Sequence, residues 1–244
     1  MRLLIDLGNT RLKWQLRDGE GIVRSGVGGL DVDRLFSELG PCVDSISGIA
    51  ISTVASEDRC RGLEQSFSHR LALPVRFYWA EVSRGGLINA YRDFHRMGAD
   101  RWHGMYGAWQ ELRGGFAVVD AGTAITVDYV AADGCHIGGY ILPGLKMMLR
   151  SLQLDAARIG FDSRDSRVTR PGCDTSECVN HGLSWLFQSA IERIHSDVRA
   201  NGLSDIIVTG GDAVRLLDLG LAADHRPSLV LEGLDAVDRE EQAE

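Results

Sequence analysis

The sequence predicts an α/β protein built from two similar halves, and three observations carry that expectation. A pattern occurs twice. Residues 3–14 read Leu-Leu-Ile-Asp-Leu-Gly-Asn-Thr-Arg-Leu-Lys-Trp, and residues 117–128 read Ala-Val-Val-Asp-Ala-Gly-Thr-Ala-Ile-Thr-Val-Asp. Each has three apolar residues, then Asp-x-Gly, then an alternating stretch, which reads as strand, tight turn and second strand. Secondly, a further buried-strand run follows each copy, at 49–55 and at 206–208. Thirdly, apolar residues recur at helical spacing between these strands.

The elements follow in order. After the first hairpin, Val32, Leu35, Phe36 and Leu39 predict a helix over 31–39. The run at 49–55 is a buried strand, and 58–70 is a second helix. A third helix spans 101–112, with Asp100 as its N-cap. The boundary between halves falls near Gly115, giving domains 1–114 and 115–244. In the second half, Val179, Leu183, Leu186, Phe187, Ile191, Ile194 and Val198 mark a long amphipathic helix over 175–198, capped by Thr175. The strand at 206–208 runs into a Gly210-Gly211 turn and a helix-like stretch at 213–217. The acidic end, 235–244, reads as a frayed, solvated tail.

Composition narrows the function. The 244 residues carry 26 basic and 34 acidic side chains, a net charge of −8. That balance argues against a general nucleic-acid binder, which needs a basic field to displace counterions. No apolar run approaches the ~20 residues of a membrane span. Asp6 interrupts the start too early for a signal peptide, so a cytoplasmic protein is expected. Five cysteines without a CxxC pair suggest neither a disulfide framework nor a zinc site. Lys13 and Lys146 are the chain's two lysines.

The repeated hairpin can carry chemistry. A Gly-rich turn offers backbone N–H groups to phosphate oxygens, and an adjacent Asp can hold hydrated Mg²⁺. Glycine at that turn also permits positive φ and close approach of a ligand. Between the two copies stands Asp100-Arg101 at a helix start. A carboxylate beside a guanidinium suits a substrate with both a hydroxyl and an anionic group. Asp100 would accept the hydroxyl proton, and Arg101 would pair with the anion.

Together the two hairpins and the turn Thr209-Gly210-Gly211-Asp212-Ala213 resemble the duplicated fold of acetate kinase, sugar kinases, Hsp70 and actin. That resemblance implies two ribonuclease-H-like halves (an actin-like ATPase fold) with ATP in the cleft between them. The ordered set Asp6-Leu7-Gly8-Asn9-Thr10, Gly98-Ala99-Asp100-Arg101, Asp120-Ala121-Gly122-Thr123-Ala124, residues 138–144 and Thr209–Ala213 is similar to type III pantothenate kinase. The likeness spans nearly the whole chain, and Gly98-Ala99-Asp100-Arg101 is its specific part.

The resemblance implies ATP-dependent phosphorylation of pantothenate, the first step toward coenzyme A. It implies Mg²⁺, a monovalent cation (potassium or ammonium) and a homodimer whose pockets are completed near the subunit interface. By position, Asp6, Gly8, Asn9, Thr10 and Lys13 hold ATP phosphates, with Asp6 reaching Mg²⁺ through water. Gly122, Thr123, Gly210 and Gly211 serve ATP from the second half. Asp100 is the catalytic base, and Tyr91, Gly98, Ala99 and Arg101 line the pantothenate pocket. Thr175 contacts substrate from the partner subunit, and Asp120 binds the monovalent cation. Where the family often has a proline before Gly-x-Asp-Arg, this chain has Asp93-Phe94-His95-Arg96, so a less rigid loop is expected. Two alternatives stand beside the kinase: a regulatory accessory protein on the same scaffold, and a superfamily enzyme acting on a sugar or polyphosphate.

Overall fold

The computed structural model describes the chain apart from residues 9–10, 30, 54–56, 72, 113, 156–159 and 244, and apart from the side chains of Glu57, Arg59 and Asp155. The chain folds into two compact units, residues 1–111 with 228–244, and residues 112–227.

In the first unit, β1 (Arg2–Leu7), β2 (Leu12–Asp18), β3 (Gly21–Gly28), β4 (Gly48–Thr53) and β5 (Val75–Tyr78) form a sheet in the order β3-β2-β1-β4-β5. The β1–β2 and β2–β3 pairs are antiparallel, and the β1–β4 and β4–β5 pairs are parallel. Alternation along β1 splits its side chains between two faces. Leu3, Ile5 and Leu7 join Trp14, Leu16, Phe36, Leu39 and Phe67 in one core, with α1 (Val32–Leu39) and α2 (Glu57–Leu71) contributing. Leu4 and Ala50 face the other way, against Leu231 and Leu234 of α7 (Leu229–Ala243).

That last contact overturns two expectations. Helix α7 belongs to the first unit, so the second half ends at 227 and not at 244. Residues 235–243 are helical and not a frayed tail. Asp235 and Asp238 are fully buried, one turn apart on the stripe that meets the sheet. Arg2, Arg17 and Arg76 occupy the facing strand positions. Asp235 pairs with Arg2 at 2.5 Å and Arg17 at 2.7 Å; Asp238 pairs with Arg2 at 3.0 Å and Arg76 at 2.8 Å. Mutual pairing is what permits carboxylates to sit inside a protein.

Helix α3 (Ala99–Glu111) packs against α7. The backbones touch at Gly107 and Gly233. A Cβ at Gly107 would lie 2.7 Å from the Leu229 carbonyl oxygen, and one at Gly233 would overlap the carbonyl of His103.

The second unit repeats the plan. Its sheet runs β10 (His136–Pro143), β9 (Ala124–Val130), β8 (Phe116–Ala121), β11 (Asp205–Thr209), β12 (Asp224–His225). Pairings are again antiparallel, antiparallel, parallel, parallel. Helices α4 (Leu145–Asp155), α5 (Thr175–Ala200) and α6 (Ala213–Asp218) complete it. Phe187, Ile191, Ile194 and Val198 of α5 pack on Ala117, Val119, Ile125 and Val127. The cap of α5 is Asp174, whose side chain accepts the Glu177 N–H at 2.8 Å; Thr175 is the first helical residue. Among the described residues no helix is long and apolar enough to cross a membrane.

Candidate active site

Strand register places the first group of expected site residues, in the first unit. Asp6 is the penultimate residue of β1. It lies opposite Lys13 across the hairpin and beside Ser52 of β4. Its side chain is buried and Lys13 is half-buried. The Gly8 N–H donates to the Arg11 carbonyl at 3.0 Å and closes the turn. Asn9 and Thr10, the expected phosphate-holding tip, lie outside the described residues.

The second unit places Asp120 the same way: opposite Thr126, and beside Thr209 of β11. Gly122 donates to the Ala124 carbonyl at 2.9 Å, and Thr123 is exposed. Two glycines distant in sequence seat on this turn. Gly144 donates to the Thr123 carbonyl, and a Cβ there would lie 2.5 Å from that oxygen. Gly210 has φ +95°, and a Cβ there would overlap Asp120 and the Ala121 carbonyl. Positive φ was expected at the Asp-x-Gly glycines. Neither Gly8 nor Gly122 adopts it; the left-handed glycine is Gly210. The short hairpins close by backbone hydrogen bonds, whereas Gly210 must turn the chain directly over Asp120. Gly211 is exposed beside it.

A further group of expected residues lies in the first unit. A hairpin of β6 (Ser83–Arg84) and β7 (Leu87–Ile88) leads into Asn89 and Tyr91. The loop before α3 does not depend on a proline. A 3₁₀ turn, Phe94–Arg96, takes its place, with Asp93 accepting the His95 N–H at 3.2 Å and Met97 buried behind it. His95 itself is exposed and packs against Phe94.

Asp100 falls inside the first turn of α3, not at its cap. Its Oδ1 accepts the N–H of Arg101 at 2.8 Å, which fixes one carboxylate oxygen. Arg101 is buried, with its guanidinium over the Tyr91 ring at 5.5 Å and Nη1 donating to the Tyr91 hydroxyl at 2.6 Å. Gly98 and Ala99 supply the backbone entry to the helix, and the Trp102 N–H donates to the Gly98 carbonyl. Tyr91, Gly98, Ala99, Asp100 and Arg101 are thus brought together. Thr175 lies in the second unit, exposed, at a groove of about 700 Å³ that Leu152, Cys173 and Leu183 also line.

One further functional candidate, His103, carries no motif in the sequence. His103 is fully buried, one turn beyond Asp100, and its Nδ1 meets the Ser52 hydroxyl at 2.7 Å. Burial pushes its pKa down to about 3, helped by the Arg84 charge and opposed by a backbone hydrogen bond at Ala99. It is a neutral link between the strand beside Asp6 and the helix carrying Asp100. Its i,i+3 spacing from Asp100 was the available signal.

A family model for type III pantothenate kinase matches residues 2–197. The type III pantothenate kinase of Marinobacter nauticus is 52% identical over 238 residues, covering 97% of this chain and 98% of the relative. The chain belongs to the type III pantothenate kinase family. It phosphorylates pantothenate with ATP in coenzyme A biosynthesis. The type III pantothenate kinase of Nitrosococcus oceani is 34% identical, covering 97% of this chain and 93% of its own. The fold is also that of a ROK family glucokinase from Streptomyces griseus, at TM-score 0.51 and 12% identity, covering 98% of this chain and 99% of that one. The last likeness agrees with the duplicated two-sheet fold expected from the two hairpins.

Proposed function

We propose that Asp100 is the general base of this pantothenate kinase and that Arg101 and Tyr91 hold the pantothenate carboxylate. The observation that carries this reading is the arrangement in the first turn of α3. One Asp100 oxygen is tied to the Arg101 N–H. The buried Arg101 guanidinium is oriented by Tyr91. The hydroxyl oxygen of pantothenate attacks the γ-phosphorus of ATP, the bond to the β,γ-bridging oxygen breaks, and the hydroxyl proton passes to Asp100. Phosphoryl transfer of this kind depends on positioning and charge stabilisation more than on covalent help. Asp6, Gly8, Asn9, Thr10 and Lys13 serve the ATP phosphates, and Gly122, Thr123, Gly210 and Gly211 also serve ATP.

The donor set suits the metals. The buried carboxylate of Asp6 matches Mg²⁺, which keeps water and substrate phosphates among its ligands. Bound there, Mg²⁺ would neutralise phosphate charge. The monovalent cation, potassium or ammonium, would sit at Asp120. Beside it the buried Thr209 hydroxyl has no hydrogen-bond partner among the described residues, and Gly210 leaves the carboxylate uncovered by a side chain. ADP release at full rate in sodium buffer would remove this cation from the reading.

The homodimer draws support from apolar side chains exposed on the second unit, among them Tyr140, Ile141, Leu154 and Trp185. In that dimer Thr175 would reach the partner's pocket. Sedimentation at the 26.7 kDa monomer mass under assay conditions would contradict it. A cytoplasmic enzyme without nucleic-acid or membrane partners fits the net charge of −8.

The test is Asp100→Asn. Loss of a general base typically lowers the rate by about 10²–10⁴-fold. Pantothenate-dependent ADP release should fall by that factor with the fold intact, and wild-type turnover would refute the assignment.

A further inference from the structure

The Tyr91 loop is joined to the far end of the chain by consecutive hydrogen bonds. Arg101 Nη1 donates to the Tyr91 hydroxyl at 2.6 Å. The Tyr91 N–H donates to Asn89 Oδ1 at 3.0 Å. Asn89 Nδ2 donates to the Glu81 carbonyl at 3.0 Å, and its N–H donates to the Val82 carbonyl at 2.9 Å. Arg84 Nε then donates to both carboxylate oxygens of Glu81, at 2.8 and 3.0 Å. From there Arg84 reaches Glu240 at 3.1 Å and also pairs with Glu241, both in the last turns of α7. Tyr106 of α3 donates to the same Glu240 carboxylate.

The hairpin is built to hold Arg84 in that position. Gly85 and Gly86 take φ of +55° and +91° and turn the chain tightly. A side chain on Gly85 would meet the Tyr106 hydroxyl at 2.8 Å, and the Trp109 indole donates to the Gly85 carbonyl at 2.8 Å. Leu87 is fully buried beneath. The Arg84 side chain is 15% exposed. Burial opposes its charge, but the hydrogen bonds it donates to Glu81, Glu241 and Glu240 outweigh that and raise its pKa, so it stays cationic.

We propose that Arg84 is a positioning residue of the pantothenate pocket. Anchored by the C-terminal helix, it holds Glu81 and Asn89 so that Tyr91 keeps Arg101 oriented toward the substrate carboxylate. The proposal rests on the reading that Tyr91 and Arg101 bind pantothenate. Its chemistry is specific. A planar guanidinium, with five N–H donors in a rigid fork, ties these three carboxylates in one fixed geometry, whereas an ammonium is a point charge without that fork. Only binding of the anionic substrate depends on the loop; the phosphate hairpin at Asp6 lies on other strands.

The experiment is steady-state kinetics of the full-length enzyme carrying R84M, N89A, the R84M/N89A pair, and R101M as a benchmark, with thermal melts of each. Methionine keeps much of the apolar stem, and the carboxylates left behind are 31–42% exposed, so R84M should fold. The expected result is a rise of roughly tenfold in KM for pantothenate in R84M, with KM for ATP within about twofold, the mark of lost substrate binding at one site. The R84M/N89A pair should be no worse than N89A alone, because both act through one chain of contacts. Unchanged KM for pantothenate in R84M would overturn the proposal. Equal rises in both KM values, or additive effects in the pair, would overturn it too, since a merely structural residue behaves that way. If R101M leaves KM for pantothenate unchanged, the binding reading itself fails. If R101M raises it and R84M does not, only this inference fails. Should R84M not accumulate folded, R84K is read by the same criteria.

Discussion

Replacing Asp238 by alanine tests the account of the C-terminal helix most directly. The carboxylate is fully buried. Its Oδ1 accepts from Arg76 Nε at 2.8 Å and the Tyr78 hydroxyl at 2.9 Å; its Oδ2 accepts from Arg2 Nη1 at 3.0 Å and Gln242 Nε2 at 2.7 Å. Alanine removes four acceptor contacts, takes from Arg76, 29% exposed, its carboxylate partner, and leaves Arg2, 15% exposed, with Asp235 alone. Breaking a buried ion pair from one side costs about 3–5 kcal/mol. At roughly 2–4 °C per kcal/mol for a chain of this size, the melting temperature should fall by about 6–20 °C. Differential scanning calorimetry reads this, with Asp18→Ala as an exposed-acid control expected to shift little. An Asp238→Ala/Arg76→Ala double variant should cost less than the sum, because the stranded guanidinium is gone. Tyr78 offers an independent check. Burial first, then Asp238, pushes its pKa up to about 12, so ultraviolet titration of Asp238→Ala should show it titrating lower. A melting shift no larger than the Asp18 control would refute the reasoning and return 235–243 to a solvated tail.

Two further outcomes follow from the same packing. Gly233→Ala should destabilise by about 1–3 kcal/mol or more, because its Cβ would overlap the His103 carbonyl. Gly62→Ala, in an exposed turn of α2 with open space, should instead stabilise by about 0.5–1 kcal/mol; chemical denaturation giving both the same sign would contradict the helix contact. His103 sets a pH dependence. Its folded pKa of about 3 lies below the ordinary value of 6.5, so its contribution is complete above pH 6.5. As pH falls from there toward 3, the unfolded chain takes up the proton first and stability drops by about 1.4 kcal/mol per unit. His103→Gln should therefore lose less stability than wild type between pH 7 and 4.5, and parallel denaturation profiles would rule this out.

Much of the fold was legible because its signals are local. The Asp-x-Gly repeat, the alternation around it and the stripe from Val179 to Val198 each report on neighbours within one or two turns. The duplicated strand order confirms that the two hairpins head equivalent sheets. The candidate site was legible where its residues are adjacent, as with Asp100 and Arg101. The helix starts shifted by one or two residues: α3 begins at Ala99, after Gly98, with Asp100 inside its first turn, and the cap of α5 is Asp174 and not Thr175, because its carboxylate is the one that reaches the Glu177 N–H.

The amino-acid sequence alone determined the two hairpins and the strands that follow them, the helices around 32–39, 101–111 and 175–198, the internal duplication, and the family motif around Asp100. Those depend on periodicity and on residue types next to one another. Tertiary structure decided what residues 229–243 do. Asp235 and Asp238 look like solvated acids in a charged tail, and nothing local distinguishes them. They are buried because Arg2, Arg17 and Arg76, more than 150 residues away, lie on the strand face that α7 covers. Long-range pairing likewise put Ser52 against His103 and Gly210 over Asp120. Such contacts have no sequence period, because they arise only when strand register and helix packing bring distant positions to the same place.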